Sequence, residues 1–280
     1  MTAVATPTTA IGGGALWMIG CGNMGGAMLR RWIAAGIPRE QITVITRGPA
    51  TLPSGVRHLN ALPPGAVPAT LVLAMKPQQL ADVAASLDGL VPGLLVSILA
   101  GVDCATLAHA IPAGAVVRAM PNLPVGIGQG VTTLFSPSDA ATVRAAAEAL
   151  AAPLGHYEWI AAESLFDAVT ALAGSGPGFV FRFIDALARA GEAIGIPADQ
   201  AARLALTTVA GSTAMAAQAE DSPAVLADRV ASKGGSTREG LNILDDEQRL
   251  VRLLTRTLTA ACHRNGEMAD AARAAFDSAR

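Results

Sequence analysis

The sequence predicts an α/β domain followed by an all-α domain, and three observations support this prediction. Short apolar runs rich in β-branched residues alternate with helical patterns up to about residue 160. The first of these runs, Leu16 to Ile19, opens directly into a glycine-rich turn. Strand patterns end near Ala162, and only helical patterns follow. We therefore expect a disordered lead-in at 1–14, an α/β domain at 15–162 and a helical domain at 163–280.

The composition excludes several classes of protein. The 280 residues are 51% hydrophobic with a net charge of −2, so the chain can bury a large core and offers no basic surface for nucleic acid. No apolar stretch reaches membrane-spanning length without interruption, and the first residues lack the positive charge and apolar core of a signal peptide. The three cysteines are far apart, which indicates reduced thiols in a cytoplasmic protein and no metal site.

The turn after the first strand has the spacing G-x-G-x-x-G. Gly20 permits the tight turn, Gly22 lets a pyrophosphate approach the backbone, and Gly25 lets the next helix pack closely on the strand. The helix predicted from Met24 to Ala35 would present its free N–H groups to the phosphates. This pattern predicts a Rossmann-like dinucleotide site formed by Gly20, Cys21, Gly22, Asn23, Met24 and Gly25.

The second predicted strand, Ile42 to Ile45, indicates which cofactor binds. Sheets that bind NAD usually carry an acidic residue at the end of this strand, whereas this one ends in Thr46-Arg47-Gly48. The Arg47 guanidinium can fork onto the 2′-phosphate of NADPH, with Thr46 and the Gly48 backbone as further donors. NADPH is therefore favoured, with NADH as the other possible cofactor. The alternative for Arg47 is a loop charge in water.

The strands that follow bring small or polar residues to one edge of the sheet. The expected strands are 56–59, 70–75, 94–99 and 115–120, and they lead into Asn60, Lys76-Pro77, Ala100 and Pro121-Asn122. Pro77 suits the first turn of a helix that runs to about Leu87. Two more strands, 131–135 and 157–160, flank an alanine-rich helix whose expected N-cap is Ser138. The four histidines, His58, His109, His156 and His263, lie outside these loops and are expected to be structural or on the surface.

The second half is predicted to be helical and to form oligomers. The expected helices are 164–173, 179–194, 197–220, 222–230, 237–244 and 246–265. Their high apolar content predicts a homodimer or higher homo-oligomer through these helices, and a well-packed monomer is the alternative. The glycine motif from Ala173 to Gly178 should break or kink a helix. The loop from Ser232 to Thr237 opens onto a helix, so its free N–H groups can hold a carboxylate while the Thr237 hydroxyl faces the ligand.

This late loop carries a resemblance to a known family. The stretch Val230-Ala231-Ser232-Lys233-Gly234-Gly235-Ser236-Thr237, continued by Glu239-Gly240-Leu241, resembles the signature of pyrroline-5-carboxylate reductases. The order and spacing of the other landmarks are similar to that family: Gly20 to Gly25, Ala74-Met75-Lys76-Pro77, Met120-Pro121-Asn122 and Leu172 to Pro177. The resemblance covers nearly the whole chain after Gly14, and the late loop is its most specific part.

The resemblance implies NAD(P)H-dependent reduction of 1-pyrroline-5-carboxylate to L-proline, the last step of proline biosynthesis. It implies a Rossmann-like domain joined to a helical dimerisation domain. The implied cofactor residues are Gly20, Cys21, Gly22, Asn23, Met24, Gly25, Arg47, Asn60, Ala74, Met75, Lys76, Pro77 and Ala100. The implied substrate residues are Glu163, Glu220, Ser232, Gly234, Gly235, Ser236 and Thr237, of which Thr237 is catalytic through its hydroxyl. Many family members carry proline at the position of Lys233, which argues against an essential role for that lysine.

Two other functions stay open. A reductase of the β-hydroxyacid dehydrogenase type would need a lysine base on a helix of the second domain, where Lys233 lies in a loop instead. A non-catalytic NADP-binding regulator would keep the early glycine turn but need not keep the late loop. NADPH oxidation in the presence of 1-pyrroline-5-carboxylate distinguishes the first hypothesis from the regulator.

Overall fold

The computed structural model describes residues 14–48, 51–63, 65–87 and 89–278. Contacts within the chain form two compact units. The first unit comprises the residues up to Ser175 together with those from Ala261 onward, and the second unit is Gly176–Ala260. The predicted lead-in at 1–14 lies outside the described residues except for Gly14.

Within the described ranges, the first unit contains an eight-stranded sheet in the order β3-β2-β1-β4-β5-β6-β7-β8. All neighbouring strands are parallel except β6 and β7, which are antiparallel. The strands are β1 (Leu16–Ile19), β2 (Ile42–Ile45), β3 (Arg57–Leu59), β4 (Thr70–Leu73), β5 (Leu94–Ser97), β6 (Ala115–Pro121), β7 (Gly130–Phe135) and β8 (Gly155–Trp159). This architecture confirms the predicted α/β class with its Rossmann-like first half.

The central strands are buried because helices cover both faces of the sheet. Along β1, Leu16 and Met18 belong to one apolar cluster, while Trp17 and Ile19 belong to another. This alternation follows from the two-residue period of a strand, which sends successive side chains to opposite faces. Trp32 is fully buried in the first cluster, and its indole N–H donates to the Leu150 carbonyl at 2.7 Å.

The helices of the first unit differ from the prediction in several places. They are α1 (Asn23–Ala34), α2 (Leu80–Ser86), α3 (Cys104–Ala110), α4 (Ala141–Ala151) and α5 (Phe166–Val169). The helix predicted from Pro77 begins as a 3-10 turn, Pro77–Gln79, before α2. The sequence analysis missed α3, whose N-cap Asp103 accepts a hydrogen bond from the Thr106 N–H at 2.7 Å.

The predicted N-cap of α4 is wrong. Ala140, rather than Ser138, precedes the first helical residue, and its carbonyl accepts hydrogen bonds from the N–H groups of Val143 and Arg144. The Ser138 hydroxyl instead accepts from the Ala140 N–H at 3.4 Å, before the helix begins. Ser138 therefore forms a hydrogen bond with the residue that precedes the helix but does not cap the helix.

Residues 163–175 stay with the sheet, although the sequence places the domain boundary near Ala162. They form a 3-10 turn (Glu163–Leu165), α5 and a π-helical turn (Thr170–Gly174). The Asn122 side-chain amide donates to the Ala173 carbonyl at 3.0 Å, which ties the π-turn to the end of β6. The expected break in the glycine motif is confirmed, because one helical segment ends at Gly174 and the next begins at Gly176.

The second unit is helical. It contains α6 (Gly176–Ala193), α7 (Ala198–Gln218), α8 (Pro223–Arg229), α9 (Ser236–Asp245) and the first part of α10 (Arg249–Ser278). Many of its large apolar side chains are exposed: Val180, Phe181, Phe183, Leu187, Leu204, Leu206, Met215, Val225, Val230, Ile243, Leu244, Val251, Leu253 and Leu254. Among the described residues, no helix is both long and apolar enough to span a membrane.

The far end of α10 belongs to the first unit, which the sequence analysis did not foresee. The helix continues to Ser278, beyond the predicted end at 265. Phe276 is buried in the same apolar cluster as Leu99 and Val102, and Arg273 donates to the Asp103 carboxylate at 2.7 Å. The chain therefore leaves the first unit at Ser175 and returns to it near Ala261.

Candidate active site

A cleft of about 970 Å³ lies in the first unit, at the carboxyl ends of β1, β2 and β4. Open α/β sheets bind ligands at this edge. Every residue that the sequence analysis assigned to the cofactor lines the cleft: Gly20, Cys21, Gly22, Asn23, Met24, Gly25, Arg47, Asn60, Ala74, Met75, Lys76, Pro77 and Ala100. The structure therefore brings these residues together, and their contact with a cofactor stays a prediction.

The three glycines of the early turn have three different environments. Gly20 has φ +86°, and a Cβ there would lie 2.6 Å from the Ala74 carbonyl oxygen. A Cβ at Gly25 would lie 3.0 Å from the Ala74 Cβ, so α1 packs directly against the end of β4. A Cβ at Gly22 would meet no atom within 4 Å. Since Gly22 lines the cleft, a ligand can approach its bare backbone, and the three environments fit a dinucleotide pyrophosphate.

The start of α1 supplies donors for that pyrophosphate. Gly22 is the N-cap and offers no side chain to the first turn, and the first intrahelical bond runs from the Gly26 N–H to the Gly22 carbonyl at 2.8 Å. The preceding N–H groups of the turn have no helical acceptor and lie at the positive end of the helix. Burial raises the pKa of the neighbouring Cys21 thiol, against the opposing charge of Arg30, so the thiol adds no negative charge here.

The end of β2 forms another wall of the cleft. Arg47 Nη2 lies 3.0 Å from Asp82 Oδ2, on α2. Thr46 Oγ1 donates to the Gly48 carbonyl at 2.7 Å and also lies 2.7 Å from His58 Nε2. The Thr46 hydroxyl hydrogen is therefore already used within the loop. His58 lies on β3, as expected outside the loops, but its ring supports a residue that lines the cleft.

Lys76 follows β4 and lies in the cleft wall. Its backbone N–H donates to Gln79 Oε1 at 3.2 Å, which closes the short turn before α2. Lys76 thus lies at the carboxyl edge of the sheet, shortly after the fully buried strand β4.

Glu163 lies in a partly buried cluster of the first unit. Its Oε1 accepts from Arg118 Nη1 and from the Cys104 N–H, both at 2.8 Å. The Arg118 guanidinium stacks 3.9 Å above the Phe166 ring centroid. Burial, reinforced by Glu163, raises the pKa of Cys104 to about 12, so this thiol stays neutral. The cluster joins β6, α3 and α5, and a substrate role for Glu163 stays a prediction.

Arg118 was missed as an interacting residue by the sequence analysis. The available signal is its position within the otherwise apolar strand Ala115–Pro121, where an arginine needs a partner because burial of an unpaired charge is costly. Its partner Glu163 lies 45 residues away, so the sequence alone did not identify the pair.

The predicted substrate loop lies in the second unit, at the start of α9. The N-cap Gly235 makes no side-chain hydrogen bond, and its N–H donates to the Ser232 carbonyl at 2.9 Å. Gly234 has φ +70°, a conformation that favours glycine. Thr237 is exposed in the first turn of α9, where neighbouring backbone N–H groups lack helical acceptors. Glu220 is exposed between α7 and α8.

Comparison with known proteins decides the family. A pyrroline-5-carboxylate reductase of Pseudomonas aeruginosa is 34% identical over 263 residues, which cover 90% of this chain and 96% of that protein. The chain belongs to the pyrroline-5-carboxylate reductase family. A family model for pyrroline-5-carboxylate reductase dimerisation matches residues 163–268, and a model for NADP oxidoreductase, coenzyme F420-dependent, matches residues 16–101. The predicted family is therefore confirmed.

Solved structures of pyrroline-5-carboxylate reductases share the fold. One from Coxiella burnetii aligns with a TM-score of 0.82 at 29% identity and covers 91% of this chain and 98% of its own. One from Plasmodium falciparum, solved with NADP bound, aligns with a TM-score of 0.74 at 25% identity. It also covers 91% of this chain and 98% of its own. The matches therefore extend over both halves of the chain.

Proposed function

We propose that this chain reduces 1-pyrroline-5-carboxylate to L-proline and uses NADPH in preference to NADH. The observation that carries the proposal is the loop from Ser232 to Thr237, which opens onto α9 with an uncapped first turn and an exposed hydroxyl. Such a turn suits a carboxylate, and the hydroxyl suits the adjacent ring nitrogen. Membership of the reductase family and the glycine geometry of the cleft support the same reaction. Nothing in the comparisons favours the dehydrogenase or the regulator.

The reaction requires mainly that the protein orients the substrate relative to the cofactor. A nicotinamide cofactor held by the glycine turn would supply the hydride: a C–H bond would form at the imine carbon, and the C=N π electrons would move to the protonated nitrogen. The backbone N–H groups of Ser236 and Thr237 hold the substrate carboxylate, since the Gly235 N–H already donates to the Ser232 carbonyl. The Thr237 hydroxyl accepts a hydrogen bond from the protonated nitrogen and fixes which face of the ring is attacked. Because the protonated imine is already an electrophile, no strong acid is required.

An activity assay tests this proposal directly. Purified protein should oxidise NADPH only when 1-pyrroline-5-carboxylate is present, and proline should accumulate in equal amount. A folded protein that binds NADPH without any turnover would contradict the proposal and favour the regulator.

Replacing Thr237 by alanine should lower kcat while leaving the Kd for NADPH unchanged. The expected loss corresponds to one hydrogen bond to a charged group, roughly 1.5–3 kcal/mol, or about 10- to 150-fold in rate. Thr237→Ser keeps the hydroxyl and is the matched control, so it should retain most of the activity. Equal kcat in the parent and the alanine variant would remove Thr237 from the mechanism.

Replacing Arg47 by alanine should raise the KM for NADPH about tenfold and leave the KM for NADH nearly unchanged. The guanidinium contributes a charge-assisted hydrogen bond to the 2′-phosphate, which only NADPH carries. Steady-state kinetics with both cofactors measure the difference, and NADH is the internal control. Equal changes for the two cofactors would mean that Arg47 does not recognise the phosphate.

We further propose a homodimer or higher homo-oligomer in the cytoplasm. The exposed apolar side chains of the second unit, including Phe181 and Phe183, favour burial against another copy of the chain. The match of residues 163–268 to a dimerisation model supports this. The three cysteines are free thiols, as suits a reducing compartment. A solution mass equal to that of one chain would contradict the oligomer.

A further inference from the structure

Asp82 contributes a carboxylate to the cleft wall at the end of β2. It lies on α2 and forms an ion pair with Arg47, with 3.0 Å between Asp82 Oδ2 and Arg47 Nη2. Both residues line the cleft, and their side chains are 65% and 67% exposed. Strand β2 itself ends without an acidic residue. The structure supplies one from another element, 35 residues later in the chain.

Packing of α2 holds Asp82 in place, although the Asp82 side chain is exposed. It lies in the first turn of α2, where the helix dipole favours a negative charge. Its neighbours Leu80 and Val83 are buried in the core and anchor the helix against the sheet. The carboxylate is therefore held beside the cleft by a packed element rather than by a loop.

The charges around this wall are few. Among the described residues that line the cleft, the charged side chains belong to Arg47, Lys76 and Asp82. Asp82 offsets the positive charge of Arg47, and the Thr46 hydroxyl already donates to Gly48. A 2′-phosphate approaching Arg47 must therefore compete with a carboxylate that is already paired with it.

We propose that Asp82 is a specificity-determining residue that reduces the preference for NADPH over NADH. This inference rests on the proposed use of NAD(P)H. Asp82 competes with the 2′-phosphate for the Arg47 guanidinium and repels its negative charge. For the unphosphorylated ribose of NADH there is no such repulsion, and the carboxylate can accept a hydrogen bond from a ribose hydroxyl. Because an exposed ion pair is weak, the phosphate can still displace Asp82 from Arg47. The cost of this displacement lowers the ratio of the affinity for NADPH to the affinity for NADH.

Asp82→Asn tests the proposal through binding alone, with two fragments that differ in the 2′-phosphate. Calorimetric titration gives the Kd of adenosine 2′,5′-bisphosphate and of adenosine 5′-monophosphate for parent and variant. We expect the bisphosphate to bind about two- to fivefold more tightly to the variant, the range that weak surface ion pairs provide. The monophosphate should bind equally well or slightly more weakly. The gain should shrink at high salt, because salt screens exposed charges.

Several results would overturn the proposal. Weaker binding of the bisphosphate to Asp82→Asn would mean that Asp82 positions Arg47 instead of competing for it. An equal change in the Kd of both fragments, or no change in either, would mean that the residue does not discriminate between them.

Asp199→Asn is the matched control for the change in charge. Asp199 forms a similarly exposed pair with Arg203 on α7, at 2.8 Å, and is not among the residues that line the cleft. This variant should bind both fragments as the parent does. If Asp199→Asn gained as much bisphosphate affinity as Asp82→Asn, the change in net charge alone would explain the effect, and the proposal would be overturned.

The fragment titrations also separate this inference from the proposed function. They require no turnover, so a parent protein that binds both fragments but leaves 1-pyrroline-5-carboxylate unreduced would contradict the reaction alone. A reductase that is active with both cofactors, but whose fragment affinities do not respond to Asp82→Asn, would contradict only the role of Asp82.

Discussion

Replacing Gly22 by alanine should raise the Kd for NADPH and for NADH by about 100-fold while the protein stays folded. The added methyl group meets no protein atom within 4 Å, so it causes no clash in the fold. In the predicted binding mode it would occupy the space through which the pyrophosphate reaches the N–H groups at the start of α1, and each charge-assisted hydrogen bond lost there is worth about 1.5–3 kcal/mol. A hundredfold change corresponds to about 2.8 kcal/mol. Fluorescence titration with each nucleotide measures the effect.

Gly26→Ala is the matched control for this prediction. Gly26 lies one turn further along α1 and is not among the residues that line the cleft, and the nearest atom to its added Cβ is the flexible end of Arg30, at 3.3 Å. Nucleotide binding by this variant should equal that of the parent. If Gly22→Ala binds both nucleotides normally, the pyrophosphate does not lie on this turn. A loss confined to NADPH would also contradict the prediction, because both cofactors contain the pyrophosphate.

Replacing Gly101 by alanine should lower the free energy of unfolding by about 3 kcal/mol. Gly101 has φ +74°, which costs a residue with a side chain about 1–2 kcal/mol. The new Cβ would also lie 2.7 Å from the Ala269 Cα on α10, and such overpacking costs typically 1–3 kcal/mol. The backbone of α10 cannot rotate away as a side chain can. Urea unfolding measures the change.

Gly89→Ala separates the two contributions. Gly89 has φ +75°, almost the same as Gly101, but a Cβ there meets no atom within 4 Å. This variant should lose only the backbone contribution, about 1–2 kcal/mol. If both variants lose the same free energy of unfolding, the contact between Gly101 and α10 makes no separate contribution.

The parts of the fold that the sequence predicted are those in which the signal is local. The strands β1 and β2 are buried on both faces, and an apolar run in β1 and a β-branched run in β2 mark them clearly. Helix α3 was missed because its seven residues, Cys104–Ala110, contain mostly small side chains. The antiparallel direction of β7 depends on the short connection after β6, where the Asn122 side-chain oxygen accepts from the Val131 N–H at 2.8 Å. Nothing within β7 itself indicates its direction.

The same distinction holds for the site. The glycine turn from Gly20 to Gly25 was predicted because one stretch of sequence contains the whole geometry. The pair of Arg47 with Asp82 and the pair of Arg118 with Glu163 join distant elements. Their partners depend on how α2 and the turn at Glu163 pack on the sheet, which one sequence does not specify.

The return of α10 to the sheet has a consequence for biosynthesis. The nucleotide-binding half is translated first, yet its apolar cluster with Leu99 and Val102 stays incomplete until Phe276 has left the ribosome. A nascent chain that ends before Phe276 lacks this side chain, so the apolar surface around Leu99 and Val102 is covered less completely. This apolar cluster of the first unit is therefore completed only after the segment that carries Phe276 has been translated.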